Sequence, residues 1–190
     1  MMKLLHFPQE DCPLYLKEQI ISLMQQEWPE VFVSEKDVHW PDSPETYPIS
    51  LVLVENHIVI SHVSIPHTYI KHRDQTYKAY GLSEVMTNPT YRHQGYGLKL
   101  IKEAALFIEK QKPDISIFTC KPNLVSFYRQ GGWIEQPYTY LVGGTRLKPF
   151  RSDALGLSTM MRLFSDKALK HQHTFEETDI HLELGENKLW

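Results

Sequence analysis

The segment Val85-Met86-Thr87-Asn88-Pro89-Thr90-Tyr91-Arg92-His93-Gln94-Gly95-Tyr96-Gly97 constrains the fold more than any other. A strand runs into a turn there, and two glycines one residue apart open a helix. The first amides of a helix have no intrahelical acceptors, and the helix dipole adds partial positive charge at that end. Such a turn therefore suits an anion. Its glycines let the backbone approach a pyrophosphate closely, and Arg92 adds a permanent cation with forked donors. Two phosphate motifs are excluded by inspection. A P-loop requires Ser or Thr after its lysine, but Lys99 is followed by Leu100; a dinucleotide fingerprint requires a third glycine where Leu100 stands.

The rest of the chain is organised around this turn. Between Pro13 and Val33, Leu16, Ile20, Leu23, Met24 and Trp28 recur at three- and four-residue spacing, which predicts an amphipathic helix ending near Pro29. Trp40 to Pro48 is a Pro-rich loop. Ile49 to Val54 and Ile58 to Ile65 are β-branched runs around Glu55-Asn56-His57, a hairpin signal. Tyr77 to Thr87 reads as a third strand, and the helix after Gly97 continues to about Lys110. A buried strand is expected at Ile115–Thr119 and a short helix from Asn123 to Gln130, ended by Gly131-Gly132. Tyr138 to Trp190 reads as two or three strands with turns at Gly143-Gly144 and Gly185. This order predicts an α/β (α+β) fold: a single domain over 1–190, with a mixed, mostly antiparallel sheet and helices on both faces.

Composition narrows the function. Twenty Lys and Arg against 23 Asp and Glu give a formal charge of −3, without the basic excess of a dedicated nucleic-acid binder. Two cysteines, Cys12 and Cys120, exclude a disulfide framework and a four-thiolate zinc site, and Cys120 reads as an inert buried thiol. No run approaches a membrane span or a secretory leader, so a cytoplasmic protein is expected. His57, His62, His67 and His72 fall every five residues, a period of neither strand nor helix, so they do not share a face as a metal site. No metal is expected.

The pattern Val85-x-Thr87-x-Pro89-x-x-Arg92-x-x-Gly95-x-Gly97 resembles the acyl-CoA-binding motif of the GCN5-related N-acetyltransferase (GNAT) superfamily. A second hallmark follows at Phe127-Tyr128-Arg-Gln-Gly-Gly132-Trp133. The resemblance implies a single GNAT-like domain using acetyl-CoA as co-substrate. It further implies that the main chain of Val85, Met86 and Thr87 bonds the pantetheine amides, and that the amides of Arg92, His93, Gln94, Gly95, Tyr96 and Gly97 hold the pyrophosphate. Asn123 is the matching side chain after the following strand, two residues late relative to the usual position. Tyr128 matches the general acid that protonates the leaving thiolate. The Thr87 N–H is placed to stabilise an oxyanion. The usual strand glutamate is replaced by Ser83, so Glu84 is a candidate base beside a water relay or a base from another loop. Glu84 faces away if the strand alternates cleanly and faces in if it bulges.

Arg151-Ser-Asp153, Tyr138-Thr-Tyr-Leu141 and a chain ending in Trp190 are similar to the aminoglycoside 2′-N-acetyltransferases. That likeness implies an acceptor site of Ser83, Glu84, Asp153 and Trp190. The expected partner is then a small-molecule amine such as an amino sugar or polyamine. A homodimer is admitted, and neither nucleic acid nor membrane is expected. The rival reading is a non-catalytic acyl-CoA sensor of the same fold, which the absent glutamate at Ser83 favours and Tyr128 disfavours.

Overall fold

The computed structural model describes residues 1–32 and 38–190, so Val33, the last residue of the first helical window, lies outside the described residues. The chain divides into two compact units, Met1–Pro66 with Ser83–Ala104, and His67–Leu82 with Ala105–Trp190.

The first unit is built on a four-stranded antiparallel sheet. Its strands are β1 (Met2–Pro8), β2 (Ile49–Glu55), β3 (Ile58–Ile65) and β6 (Ser83–Thr87), in the order β1-β2-β3-β6. β2 and β3 form the hairpin that their β-branched runs predict. Helix α1 (Leu14–Glu27) packs on β3 and β6. The residues responsible are those of the apolar stripe: Leu16, Ile20, Leu23 and Met24 meet Trp40, Val52, Val54, Val59 and Met86 in one core cluster. Strand β1 carries no alternating apolar signal and escapes the sequence reading. Its side chains are mostly exposed, and it is held by its ladder to β2.

The second unit contains two sheets. One runs β4 (His67–His72), β5 (Gln75–Tyr80), β7 (Ile115–Cys120), β11 (Ser158–Leu163), β8 (Ile134–Glu135), with β5 parallel to β7 and its other pairs antiparallel. The other runs β10 (Pro149–Arg151), β9 (Tyr140–Gly144), β12 (Asp179–His181). Trp133 is fully buried against Phe118, and its indole N–H finds Ser116 Oγ at 2.9 Å. Helix α3 (Val125–Arg129) carries Tyr128, and a short helix α4 (Asp166–Lys170) follows β11. Helix α2 (Tyr96–Lys110) is the helix that Gly95 and Gly97 introduce.

Several expectations need correction. Tyr77–Thr87 is not one strand: it breaks at Gly81-Leu82 into β5 and β6, which belong to different sheets. The reason is local. A Cβ at Gly81 would come within 2.5 Å of the Trp190 ring, so the chain there packs against an indole instead of a neighbouring strand. Among the described residues the strands are grouped in three sheets, within the mixed, mostly antiparallel α/β architecture that was expected. The region beyond Tyr138 holds four strands and α4, and Gly143-Gly144 ends β9 within a ladder while the turn lies at residues 145–148.

Candidate functional site

Strand β6 is bulged. His62 pairs with Met86, but Ser64 pairs with Ser83, so Glu84 and Val85 together lie opposite Val63. An extra residue on one strand reverses the side-chain parity beyond it. Glu84 takes the distortion, with φ at +50°, a left-handed conformation that disfavours side chains other than glycine's by about 1 kcal/mol or more. The bulge sends the Glu84 carboxyl into the unit. Its Oε2 accepts hydrogen bonds from Gln9 Nε2 at 2.9 Å and from the Trp40 indole N–H at 3.1 Å. Its main-chain oxygen lies 3.1 Å from His62 Nδ1, and His62 Nε2 lies 2.8 Å from Ser50 Oγ. A carbonyl only accepts, so His62 is the Nδ1–H tautomer, and Ser50 donates to Nε2.

Burial sets the protonation of both groups. It raises the Glu84 carboxyl to about 7, against the opposing pull of the Trp40 and Gln9 bonds, with Asp42 adding a small upward push. It lowers His62 to about 4, with the Glu84 main-chain bond opposing. His62 is thus neutral near pH 7, and Glu84 sits at its midpoint. None of Gln9, Trp40 and Ser50 is marked by a sequence motif. His62 shares parity with the apolar residues of β3, and that was its one signal.

Downstream of the bulge the main chain divides its duties. Asn88 N donates to Ile60 O at 2.9 Å, which makes Ser61 and Thr87 a non-hydrogen-bonded pair. The Thr87 N–H and C=O therefore point away from β3. Met86, by contrast, is the residue paired with β3, and its carbonyl also accepts from Ser61 Oγ at 2.8 Å. Of the three residues expected to offer main-chain groups, Thr87 presents its groups outward and Met86 turns its own into the ladder.

The turn itself is braced. Asn88 caps it by accepting from Thr90 N, while its amide donates to Val59 O. Arg92 donates from Nε to the Thr87 carbonyl at 3.1 Å and pairs with Glu27 of α1. Its guanidinium is a brace between strand, turn and helix. His93 and Gly95 have positive φ (62° and 80°), a conformation that turns successive amides to one side. Lys99 N donates to Gly95 O, so Tyr96, Gly97 and Leu98 ahead of it have no intrahelical acceptor. A Cβ at Gly95 would meet nothing within 4 Å. Open space bounded by backbone amides fits the diphosphate of an acyl-CoA. Gln94 only bonds the Thr90 carbonyl, at 3.4 Å.

The remaining candidates lie in the second unit. Tyr128 is 6% exposed, edge-on to Phe118, and burial first and Cys120 second push its phenol well above the usual value. It stays protonated at neutral pH, as a proton donor must. Cys120 is buried, its thiol raised to about 11 by burial, which makes it unreactive as expected. Asn123 is exposed in a 3₁₀ turn before α3. Asp153 is exposed and takes a two-pronged bond from Arg151 (3.0 and 2.6 Å), whose guanidinium also stacks on Tyr140 and reaches Asp179. Its carboxylate stays ionised and paired. Trp190 is 7% exposed, with its ring against Gly81 and its main-chain oxygen bonded by the Thr119 N–H and hydroxyl. Among the described residues no three His, Cys, Asp or Glu groups converge to hold a metal, and no helix is long and apolar enough to cross a membrane.

The bulged strand, the amide-lined turn and the helix opening on it follow in the order that the resemblance implies. The chain belongs to the acetyltransferase (GNAT) domain family, whose model matches residues 16–135. Solved structures agree in fold. An acyl-CoA N-acyltransferase from Pseudomonas aeruginosa is 14% identical with a TM-score of 0.56, covering 85% of this chain and 99% of its own. A GNAT family acetyltransferase from Brucella melitensis, crystallised with acetyl-CoA, is 16% identical with a TM-score of 0.57, covering 87% and 89%. Escherichia coli ElaA is 15% identical with a TM-score of 0.56, covering 85% and 99%. No curated protein matches the sequence.

Proposed function

We propose that residues 1–190 act as one acetyl-CoA-dependent N-acetyltransferase domain, working in the cytoplasm on a primary amine of a small molecule. The observation that carries this reading is the open amide turn at 92–97 placed directly after a strand whose bulge turns a carboxyl inward. The Brucella neighbour of the same fold was crystallised with acetyl-CoA, which supports that co-substrate. Bound there, acetyl-CoA supplies the activated acetyl group.

The chain's own residues then have distinct tasks. The amides of 92–97 bind the diphosphate, and the main chain of Val85 and Thr87 bonds the pantetheine arm. The Thr87 N–H donates to the oxyanion of the tetrahedral intermediate. An acceptor amine arrives as an ammonium and must lose a proton before it attacks. Glu84 Oε1 takes that proton, since Oε2 already accepts two N–H bonds. Tyr128 donates its phenolic proton to the departing thiolate and is reprotonated from solvent, to which the new amide nitrogen gives up its second proton.

An amino sugar of the aminoglycoside type is the acceptor that the likeness of the C-terminal region suggests. Ser83 and Glu84 remain available for its ammonium, whereas Asp153 is held by Arg151. The acceptor class is therefore proposed as a mono- or diamine smaller in charge than a full aminoglycoside.

The test is calorimetric titration with acetyl-CoA, followed by thiol release with kanamycin, spermidine, lysine and a peptide amine. Saturable binding together with turnover of one amine is expected; no binding at millimolar acetyl-CoA overturns the proposal. The sensor reading is favoured by Ser83 standing where a glutamate is usual. Tyr128→Phe separates the two: loss of roughly ten-fold or more in kcat is the scale of a lost general acid, whereas acetyl-CoA binding without turnover of any amine is the sensor's signature.

A further inference from the structure

Ser50, His62 and Glu84 form a relay of bonds with no exposed member at its centre: His62 has 0% exposure. A histidine in a β-sheet core is ordinarily an expensive choice, because both ring nitrogens need partners and a leucine needs none. Here both are satisfied. Ser50 Oγ–H meets Nε2, and Nδ1–H meets the main-chain oxygen of Glu84, the one residue of β6 with a left-handed backbone. That bond crosses the bulge where the ladder between β3 and β6 is interrupted, so it replaces a missing ladder bond at the distorted residue. Trp40 and Gln9 grip the same residue from the other end, both on Oε2. Trp40 is in turn held by Lys17 of α1, whose Nζ bonds its carbonyl at 2.9 Å. Glu84 Oε1 is left without a partner among the described residues.

We propose that His62 is the positioning residue of the acyl transfer: with Ser50 behind it, the imidazole fixes the bulge at Glu84, and Trp40 with Gln9 orients the carboxyl so that Oε1 alone exchanges a proton. This rests on the N-acetyltransferase reading above. The imidazole itself does not titrate in the working range, so His62 is a rigid neutral donor and never the base. The charged and titratable groups that bear on Glu84 are His62 from β3, at 3.9 Å from Oε2, Lys17 from α1 through Trp40, and Asp42 from the loop.

The arrangement makes separable predictions. The decisive measurement is a titration of the Glu84 carboxyl by carbon-detected NMR on the full chain, with Glu84→Gln used for assignment; it needs no acceptor and no co-substrate. The wild type is expected to titrate near 7. His62→Leu removes the bond to the bulge, so the carboxyl relaxes toward solvent and its midpoint falls toward the ordinary carboxylate range. His62→Asn, whose amide N–H can occupy the Nδ1 position, is expected to restore it. Trp40→Phe removes a bond that favours the ionised form, so the midpoint rises.

In turnover of acetyl-CoA with the best amine of the panel, His62→Leu should lower kcat by about ten-fold or more while the acetyl-CoA KM stays within about two-fold, the signature of a disturbed general base. His62→Asn should recover most of that loss. Should His62→Leu not fold, Ser50→Ala, which removes one bond only, is expected to shift the midpoint in the same direction by a smaller amount. A Glu84 midpoint unmoved in both His62→Leu and Ser50→Ala overturns the proposal, as does an Asn variant no better than Leu. Failure of acetyl-CoA to bind would instead overturn the enzymatic reading and leave the titration outcome standing, so the two failures are distinguishable.

Discussion

At the scale of single residues, Glu84 and His62 are displaced from their ordinary pKa values in opposite directions, and the consequence for stability can be worked out. Glu84 is raised from 4.5 to about 7, so the folded chain holds an extra proton between those pH values; its contribution is full below 4.5 and is lost as pH rises through 7. His62 is lowered from 6.5 to about 4, so the unfolded chain holds the extra proton between those values; its contribution is full above 6.5 and is lost as pH falls toward 4. Between 4.5 and 6.5 the two slopes oppose each other, and the pair leaves stability nearly independent of pH. Urea midpoints should therefore be flat across that window in the wild type. Glu84→Gln should unmask a rise in stability with increasing pH from about 4 to 6.5, whereas His62→Leu, which also lets the Glu84 midpoint fall toward the ordinary carboxylate range, should leave no such rise. A Glu84→Gln profile parallel to the wild type would show that His62 is not displaced as described. The same midpoint governs turnover: kcat/KM should climb with pH through about 7 as Glu84 ionises.

At the scale of elements, the turn between β6 and α2 carries the clearest prediction. Gly95 sits at φ +80°, and an added Cβ there touches nothing. Gly95→Ala should consequently cost only the left-handed backbone penalty of about 1–2 kcal/mol, read as a lowered melting temperature. The methyl would nonetheless enter the space where the diphosphate is expected, so acetyl-CoA affinity should fall by more than the stability loss implies. Equal affinity in the two proteins would place the diphosphate elsewhere.

This turn was legible because its glycines, Pro89 and Arg92 are local signals whose meaning does not depend on distant contacts. The β2–β3 hairpin and helices α1 and α2 were legible through periodicity for the same reason. Strand β1 was not, since an edge strand held by its ladder needs no apolar alternation. The bulge entered only as one of two alternatives, because Ser83-Glu84-Val85 carries no glycine to mark it. Its partners Gln9, Trp40 and Ser50 reach Glu84 from remote parts of the chain that only tertiary structure assembles. Arg92 was recognised as important, but its duty as a brace to Glu27 depends on where α1 ends.

At the scale of the whole molecule, the second unit is fastened by Trp190. The ring lies on Gly81 with 7% exposure, and Thr119 at the end of β7 bonds the Trp190 oxygen through both its amide and its hydroxyl. The fastening joins the β5–β6 break to the centre of the five-stranded sheet, residues far apart in sequence. Trp190→Ala removes a large buried aromatic and should destabilise the protein by about 3–5 kcal/mol. Gly81→Ala introduces a Cβ at 2.5 Å from the indole Cε3, too close for both to keep their places, and should cost about 1–3 kcal/mol as overpacking. The informative quantity is the combination. With the indole gone, the Gly81 methyl enters the space it vacated, so the double variant should be no less stable than Trp190→Ala alone. Strong non-additivity in a thermodynamic cycle of chemical denaturation is the expected outcome, because both changes act on one contact. Additive losses would mean that Gly81 is needed for its backbone and not for the indole. Trp190 would then be ordinary packing, and its aromatic ring would not explain why the strand breaks at Gly81.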